Sequence, residues 1–223
     1  MLVSHRKRFI YTKTLKTAGT STEVFFEPYC MPDGQWHFSH ARDEYVSETG
    51  IIGVRGDRPI NNWYHHMPAL RIMELIGKDI WDDYFKFCVI RNPFDKLVSA
   101  FHYFKTKGLI DPDKLSRNET DEEQFRFWIS TQSGALTVLD RDKYTINNEV
   151  CCDYFIRYEK LEIGIKDVCD SVGVEFHPNK LMRLKSQFRP QNKTLNNYYD
   201  SCTQAIVQEI FEFEIEKFGY HVP

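Results

Sequence analysis

The sequence has no apolar run that approaches the length of a membrane span. Its first seven residues are too few and too polar for a signal peptide, so we expect a cytoplasmic protein. The six cysteines show no C-x-x-C spacing, which favours reduced thiols over a disulfide framework or a metal site. A net charge of −3 argues against general nucleic-acid binding. Because repeats, low-complexity tracts and linkers are absent from the sequence, we expect one domain over residues 1–223.

The most informative segment is RFIYTKTLKTAGTS, residues 8–21. A strand-like run, FIY, leads into a short loop with Lys16 and three hydroxyl side chains, and a helix-like run follows. Such a strand–loop–helix directs backbone N–H groups and a helix N-terminus to one spot, which suits a phosphate or sulfate group. The loop lacks the G-x-x-x-x-G-K-[ST] order of nucleotide triphosphatases. The segment therefore indicates an anion site of another kind.

A second segment joins a buried strand, FKFCVI at 85–90, to a well-signalled helix. Asn92 can cap this helix, Pro93 suits its first position, and Asp95 complements the helix dipole. Ser99 falls on the polar stripe of the same helix.

The remaining pattern alternates apolar strands with amphipathic helices. Further helices are predicted at 68–77, 125–129, 159–172 and 201–218, further strands at 51–54 and 154–157, and a loop at 188–199. This alternation indicates an α/β fold in which a parallel sheet is covered by helices on both faces.

Together these segments resemble the sulfotransferases that use 3′-phosphoadenosine 5′-phosphosulfate (PAPS). RFIYTKTLKTAGTS resembles their 5′-phosphosulfate loop, and CVIRNPFDKLVSAFHYF resembles their 3′-phosphate motif. The strings HHMPALRIMELIG, YFIRYEKLE and EIFEFEIEKFGY add support, and the similarity is to the carbohydrate type, including uronyl 2-O-sulfotransferase-like and bacterial members. The resemblance covers most of the chain outside 108–150. It implies the sulfotransferase fold, with a P-loop-like parallel sheet flanked by helices.

The resemblance also implies roles for individual residues in binding PAPS. The 5′-phosphosulfate would be bound by the backbone N–H groups of Thr17, Ala18, Gly19, Thr20 and Ser21 and by the hydroxyls of Thr20 and Ser21. The 3′-phosphate would be bound by Arg91 and Ser99, and the nucleotide would be covered by Arg189, Asn192 and Lys193. In this scheme Gly19 permits close approach of the backbone to the ligand.

Sulfuryl transfer by such a site depends on positioning and charge stabilisation, and we expect no metal. Lys16 would stabilise the leaving 3′,5′-bisphosphate of adenosine. His66 lies where relatives have their histidine base, and histidine has a suitable pKa for that role. His65 competes for the same role. Structural alternatives also stay open: a solvated Lys16, an Arg91 that pairs with a carboxylate, an incidental Ser99 and a His66 that caps a helix.

The acceptor is expected to be a hydroxyl of a saccharide, although small alcohols and phenols also fit. Basic residues available for an acidic saccharide are Arg42, Arg55, Arg58, Arg126 and Arg141. Residues 108–150 are expected to determine acceptor choice. The sequence leaves two other functions open. One is a nucleotide or sugar kinase, which requires a triphosphate-binding loop and a magnesium ligand. The other is a non-catalytic module that binds the phosphonucleotide.

Overall fold

The computed structural model describes residues 1–111, 119–131, 133–182, 184 and 194–223. The chain divides into two compact units. The first comprises Met1–Ile90 and Asp140–Leu184, and the second comprises Arg91–Leu139 and Lys185–Pro223. We call them the sheet unit and the helical unit.

The strands are β1 (Leu2–Ser4), β2 (Phe9–Tyr11), β3 (Tyr45–Ser47), β4 (Gly50–Ile52), β5 (Phe85–Ile90), β6 (Thr145–Ile146), β7 (Glu149–Val150) and β8 (Tyr154–Arg157). The α-helices are α1 (Gly19–Phe26), α2 (Ala69–Ile76), α3 (Lys78–Asp83), α4 (Pro93–Thr106), α5 (Asp121–Ser130), α6 (Ser133–Leu136), α7 (Leu161–Val172), α8 (Leu195–Tyr198), α9 (Ser201–Ile210) and α10 (Glu212–Phe218). Short 3₁₀ turns occur at Glu27–Cys30, Arg141–Lys143, Tyr158–Lys160 and Pro178–Lys180.

The sheet unit contains a six-stranded sheet in the order β3-β4-β1-β2-β5-β8. Strands β2, β5 and β8 are parallel, whereas β1 pairs antiparallel with β2 and β4, and β3 pairs antiparallel with β4. The predicted parallel sheet is therefore right for three strands and wrong for the other three. Turns of a few residues join β1 to β2 and β3 to β4, and such turns can join only antiparallel neighbours, whereas a parallel pair needs a crossover.

Helices cover both faces of this sheet, as the alternation of strands and helices predicts. One face carries an apolar core that joins sheet residues to α1 and α7: Phe9, Tyr11, Phe87, Val89 and Ile156 with Phe25, Phe26, Ile165 and Val168. The other face joins sheet residues to α2 and α3: Val3, Ile10 and Ile51 with Ala69, Ile72 and Trp81. All of these side chains are buried.

The carboxyl ends of β2 and β5 lie side by side. Tyr11 is in register with Phe87, and the next N–H, that of Thr12, donates to the Phe87 carbonyl at 3.0 Å. The hydroxyl of Thr14 then donates to the carbonyl of Val89. The β2–α1 loop, residues 12–18, therefore begins at the carboxyl edge of the parallel strands, where open α/β sheets bind their ligands.

The helical unit has an aromatic core. Phe94 and Phe101 of α4 pack with Phe125 of α5 and with Tyr198 and Tyr199, and the Tyr199 hydroxyl donates to the Phe94 carbonyl at 2.9 Å. Helix α4 begins as predicted.

Two predictions for the C-terminal part are wrong. The single helix expected at 201–218 is two helices, because Phe211 leaves the helical region at φ −108° and ψ 23° with its ring buried. The loop expected at 188–199 contains α8, which starts at a capping box of Thr194 and Asn197; residues 188–193 lie outside the described part.

Candidate active site

The β2–α1 loop contains two non-glycine residues in the left-handed region of backbone space. Lys16 has φ 57° and Ala18 has φ 59°. Within the described part of the chain, six non-glycine residues have a positive φ, and His66, at 59°, is a third among the candidate site residues. Backbone outliers of this kind cluster at functional sites, and consecutive N–H groups in such turns form concave anion-binding surfaces.

The loop ends at the N-terminus of α1, which presents backbone donors. Ala18 stands at the N-cap position and has no polar side chain to bind the first N–H groups. The first intrahelical bond runs from the Thr22 N–H to the Ala18 carbonyl at 3.1 Å. The earlier N–H groups have no intrahelical acceptor, and the helix dipole adds positive potential at this end. No acidic side chain occurs in the first turn to oppose an anion.

Side chains on both sides hold the loop in this conformation. The Leu15 N–H donates to a carboxylate oxygen of Asp140 at 2.6 Å, and the Asp140 side chain is buried. The hydroxyls of Thr14 and Thr17 lie 2.7 Å apart. The Thr17 hydroxyl is therefore used within the loop, and its backbone N–H is the group predicted to bind a ligand.

The hydroxyls of Thr20 and Ser21 lie in the buried first turn of α1. The Ser21 oxygen accepts the N–H of Leu184 at 3.1 Å. A hydroxyl that accepts one bond can still donate its own hydrogen, so this contact is compatible with the predicted role.

Gly19 is required by a close contact inside the protein. A Cβ at this position would lie 2.9 Å from both Cγ and Cε of Lys13, and 3.3 Å from the Thr14 carbonyl. The resemblance implies that Gly19 is needed for the close approach of a ligand. The structure adds a neighbour, Lys13, whose side chain fills the space that a larger residue would occupy.

A buried charge cluster lies behind the loop, formed by Lys13, Glu23, Glu27, Arg42 and Arg55. Glu23 pairs with Lys13 and, at 3.1 Å, with Arg55; Glu27 pairs with Arg55 and, at 3.2 Å, with Arg42. No member has a side chain more than 8% exposed. The amino group of Met1 also contacts Glu23, at 2.8 Å. Cations outnumber carboxylates here, so the cluster favours an anion nearby.

Electrostatics within the cluster keep Glu23 ionised. Burial alone would raise the pKa of its carboxyl, but the positive charges of Lys13, the Met1 amine and Arg55 hold that pKa far below its ordinary value. The cluster also changes the sequence-based assignment of two arginines. Arg42 and Arg55, considered for an acidic acceptor, are committed to Glu27 and Glu23 in the interior.

His66 is bonded to the β2–α1 loop. Its Nδ1 lies 2.9 Å from the backbone carbonyl of Lys13. A carbonyl oxygen can only accept, so Nδ1 carries the hydrogen and the lone pair of the neutral ring is on Nε2. Burial lowers the pKa of His66 well below its usual value, and the charge of Lys13 lowers it further. His66 is therefore neutral near pH 7, as a general base must be.

His65 has the same tautomer but a different partner. Its Nδ1 lies 2.7 Å from the Val54 carbonyl, and its ring meets the His66 ring edge-on at 4.7 Å between centroids. Burial lowers the pKa of His65 as well. What distinguishes the two is position, since His66 is attached to the loop and His65 to Val54.

In the helical unit, Arg91 lies two residues before the start of α4, and Ser99 lies within this helix. Both Nε and Nη2 of Arg91 lie 2.7 Å from the same carboxylate oxygen of Asp95. The pairing with a carboxylate that the sequence left open is thus present. Asn92 caps α4 by accepting the Phe94 N–H at 3.0 Å, as predicted. The three remaining nucleotide-binding candidates, Arg189, Asn192 and Lys193, lie outside the described residues.

Among the described residues, no cluster of three or more histidine, cysteine or acidic side chains is arranged to bind a metal ion. Over the same residues, no helix has both the length and the apolarity to cross a bilayer.

Comparison with known proteins supports the resemblance found in the sequence. The model of the sulfotransferase family matches residues 1–221. An uncharacterized protein of Archaeoglobus fulgidus is 31% identical over 111 residues, which cover 48% of this chain and 83% of the archaeal protein. No solved structure matches the chain significantly. Because the family match extends over nearly the whole sequence, the chain belongs to the sulfotransferase family.

Proposed function

We propose that this protein transfers the sulfuryl group of PAPS to a hydroxyl group of a saccharide. Membership of the sulfotransferase family supports sulfuryl transfer in general. The observation that carries the finer proposal is the hydrogen bond between His66 Nδ1 and the Lys13 carbonyl. This bond attaches a neutral imidazole, with its lone pair on Nε2, to the loop that is suited to the anionic donor.

The donor is bound by groups at both of its ends. Backbone N–H groups of 17–21 and the hydroxyls of Thr20 and Ser21 take the 5′-phosphosulfate in a P-loop-like manner. Arg91 and Ser99 bind the 3′-phosphate, with Asp95 fixing the plane of the guanidinium. Arg189, Asn192 and Lys193, which lie outside the described residues, are the candidates for covering the nucleotide.

The transfer is an in-line displacement at sulfur. The acceptor oxygen forms a bond to sulfur as the bond from sulfur to the 5′-phosphate oxygen breaks. His66 Nε2 takes the proton of the acceptor hydroxyl, and Lys16 stabilises the charge that develops on the leaving phosphate. The products are the sulfated acceptor and adenosine 3′,5′-bisphosphate.

Binding of the donor is tested by thermal protection. Adenosine 3′,5′-bisphosphate should raise the unfolding temperature far more than adenosine monophosphate, because tighter binding to the folded state gives greater stabilisation. Equal protection by the two nucleotides would contradict the assignment of the 3′-phosphate site.

Transfer is tested with labelled PAPS against polysaccharides, glycolipids and phenols. His66→Asn keeps a side-chain N–H for the Lys13 carbonyl but has no base, so turnover should fall about 100- to 10,000-fold. His177→Asn, at an exposed histidine, is the matched control and should retain activity. An active His66→Asn variant would remove His66 from the mechanism, and donor binding without transfer to any acceptor would favour a non-catalytic module.

A further inference from the structure

Lys13 makes two contacts, and the proposed mechanism uses only the one through its main chain. Its side chain turns into the protein, is 4% exposed and pairs with Glu23 of α1, whose side chain is fully buried. Its backbone carbonyl accepts the hydrogen of His66 Nδ1 at 2.9 Å. One residue thus joins the candidate base, through its main chain, to the buried charge cluster, through its side chain.

We propose that Lys13 and Glu23 are positioning residues for the base, because their buried ion pair fixes the carbonyl that holds His66 in its Nδ1–H tautomer. The inference rests on the proposed function for its catalytic meaning. A carbonyl held in place restrains both the ring orientation and the choice of tautomer, so the lone pair is kept on Nε2. Lys16 is the lysine assigned to the leaving group, and Lys13 has this separate task.

The charges around His66 give the proposal a second consequence. The β2–α1 loop contributes the Lys13 ammonium, α1 contributes the Glu23 carboxylate, and the preceding residue contributes the His65 ring. Arg55 lies behind Glu23 and pairs with it. Burial is the largest influence on the pKa of His66, and beyond it Lys13 lowers this pKa while Glu23 raises it.

The two members of the pair should therefore shift the titration of His66 in opposite directions. Lys13→Met keeps the backbone carbonyl and the apolar stem but removes the cation, so the pKa of His66 should rise. Glu23→Gln removes the anion and leaves the cation, so this pKa should fall. Shifts of opposite sign would show that both charges act on the His66 ring, whereas the ring tautomer reports whether the Lys13 carbonyl holds it.

The test is an NMR titration of the histidine ring signals in the free protein, together with the pH profile of kcat/KM. The acidic limb of the profile should move to higher pH in Lys13→Met and to lower pH in Glu23→Gln. Lys13→Arg keeps the charge and should restore the wild-type limb. Lys78→Met and Glu74→Gln, at exposed ion pairs, are controls that should leave both measurements unchanged.

The wild-type protein provides a test that needs no variant. The ¹⁵N shifts of the neutral His66 ring report which nitrogen carries hydrogen, and an Nε2–H tautomer would overturn the proposal. Shifts of equal sign in the two variants would overturn it as well. The titration uses neither donor nor acceptor. If the Nδ1–H tautomer and the opposite shifts both occur in a protein that transfers no sulfuryl group, the positioning of His66 stands and the proposed function fails.

Discussion

Replacing Glu23 by glutamine tests the buried charge cluster directly. The Glu23 side chain is fully buried and contacts Lys13, Arg55 and the Met1 amine. Glutamine keeps the shape and one acceptor oxygen but removes the charge. Arg55 retains its second partner, Glu27, so the main loss is at Lys13, which stays buried beside a neutral amide. Removing one partner of a buried ion pair typically destabilises a protein by about 3–5 kcal/mol.

This loss converts into a measurable change in thermal stability. For a chain of this length, 1 kcal/mol shifts the unfolding temperature by roughly 2–4 °C. A loss of about 3 kcal/mol, at the lower end because Arg55 keeps Glu27, corresponds to a fall in Tm of about 6–12 °C. Calorimetry at pH 7 on the wild type and Glu23→Gln would measure it.

A matched variant gives the control. Glu74 pairs with Arg71 at 3.0 Å on α2, but its side chain is 49% exposed. Exposed pairs contribute about 0–1 kcal/mol, so Glu74→Gln should change Tm by little. If both variants lower Tm by the same amount, the reasoning from buried charge is wrong.

The buried pair of Lys13 and Glu23 also predicts how the stability of the protein depends on pH. The pKa of Glu23 is held low in the folded state, against about 4.3 for an unfolded glutamate. The unfolded state therefore binds the proton first as pH falls, so this stabilisation is present above that value and is lost below it. The Tm difference between wild type and Glu23→Gln should stay constant between pH 6 and 8 and narrow in more acidic solution. A difference that widens below pH 4 would contradict the sign of this linkage.

Two further variants test the loop and the helical unit. Gly19→Ala places a Cβ 2.9 Å from the Lys13 side chain, which its ion pair holds in place. The variant should lower the free energy of unfolding by about 1–3 kcal/mol, measured by urea denaturation. An unchanged denaturation midpoint would show that Lys13 can move aside. Arg91→Lys loses the two-nitrogen contact with Asp95 and should reduce the preference for adenosine 3′,5′-bisphosphate over adenosine monophosphate, measured by calorimetry. An unchanged preference would place the 3′-phosphate elsewhere.

The parts of the fold that the sequence predicts well are those with strong local signals. Strands β2, β5 and β8 and the start of α4 have the predicted bounds, because apolar runs and the Asn92–Pro93 pair specify them within a few residues. The sequence does not predict β1 and β3, whereas β4 overlaps the strand predicted at 51–54. The antiparallel pairs β1–β2 and β3–β4 are joined by short turns, which a pattern of crossover units does not include.

The buried charge cluster is the main feature of the site that sequence reasoning missed. Its cations are distant in sequence from Glu23 and Glu27, and arginines are ordinarily found on the surface. A signal was nevertheless present. Glu23 and Glu27 are four residues apart around the apolar pair Phe25 and Phe26, so a helix that buries these rings tends to bury a carboxylate with them, and such a carboxylate needs cations. The sequence carries no comparable signal for the positive φ values of Lys16, Ala18 and His66. Glycine is the residue that normally indicates such a conformation, and none of these positions has it.

These backbone conformations connect the cluster to the proposed chemistry. A non-glycine residue in the left-handed region is disfavoured by roughly 1–3 kcal/mol, so it persists only where its neighbours hold it. Lys16 and Ala18 are in a loop anchored by Asp140 at Leu15, and His66 is anchored by the Lys13 carbonyl. Lys13 is in turn anchored by Glu23. The buried ion pair therefore stabilises the local geometry that the proposed site requires, and weakening the pair should disturb the proposed base, His66, before it unfolds the sheet.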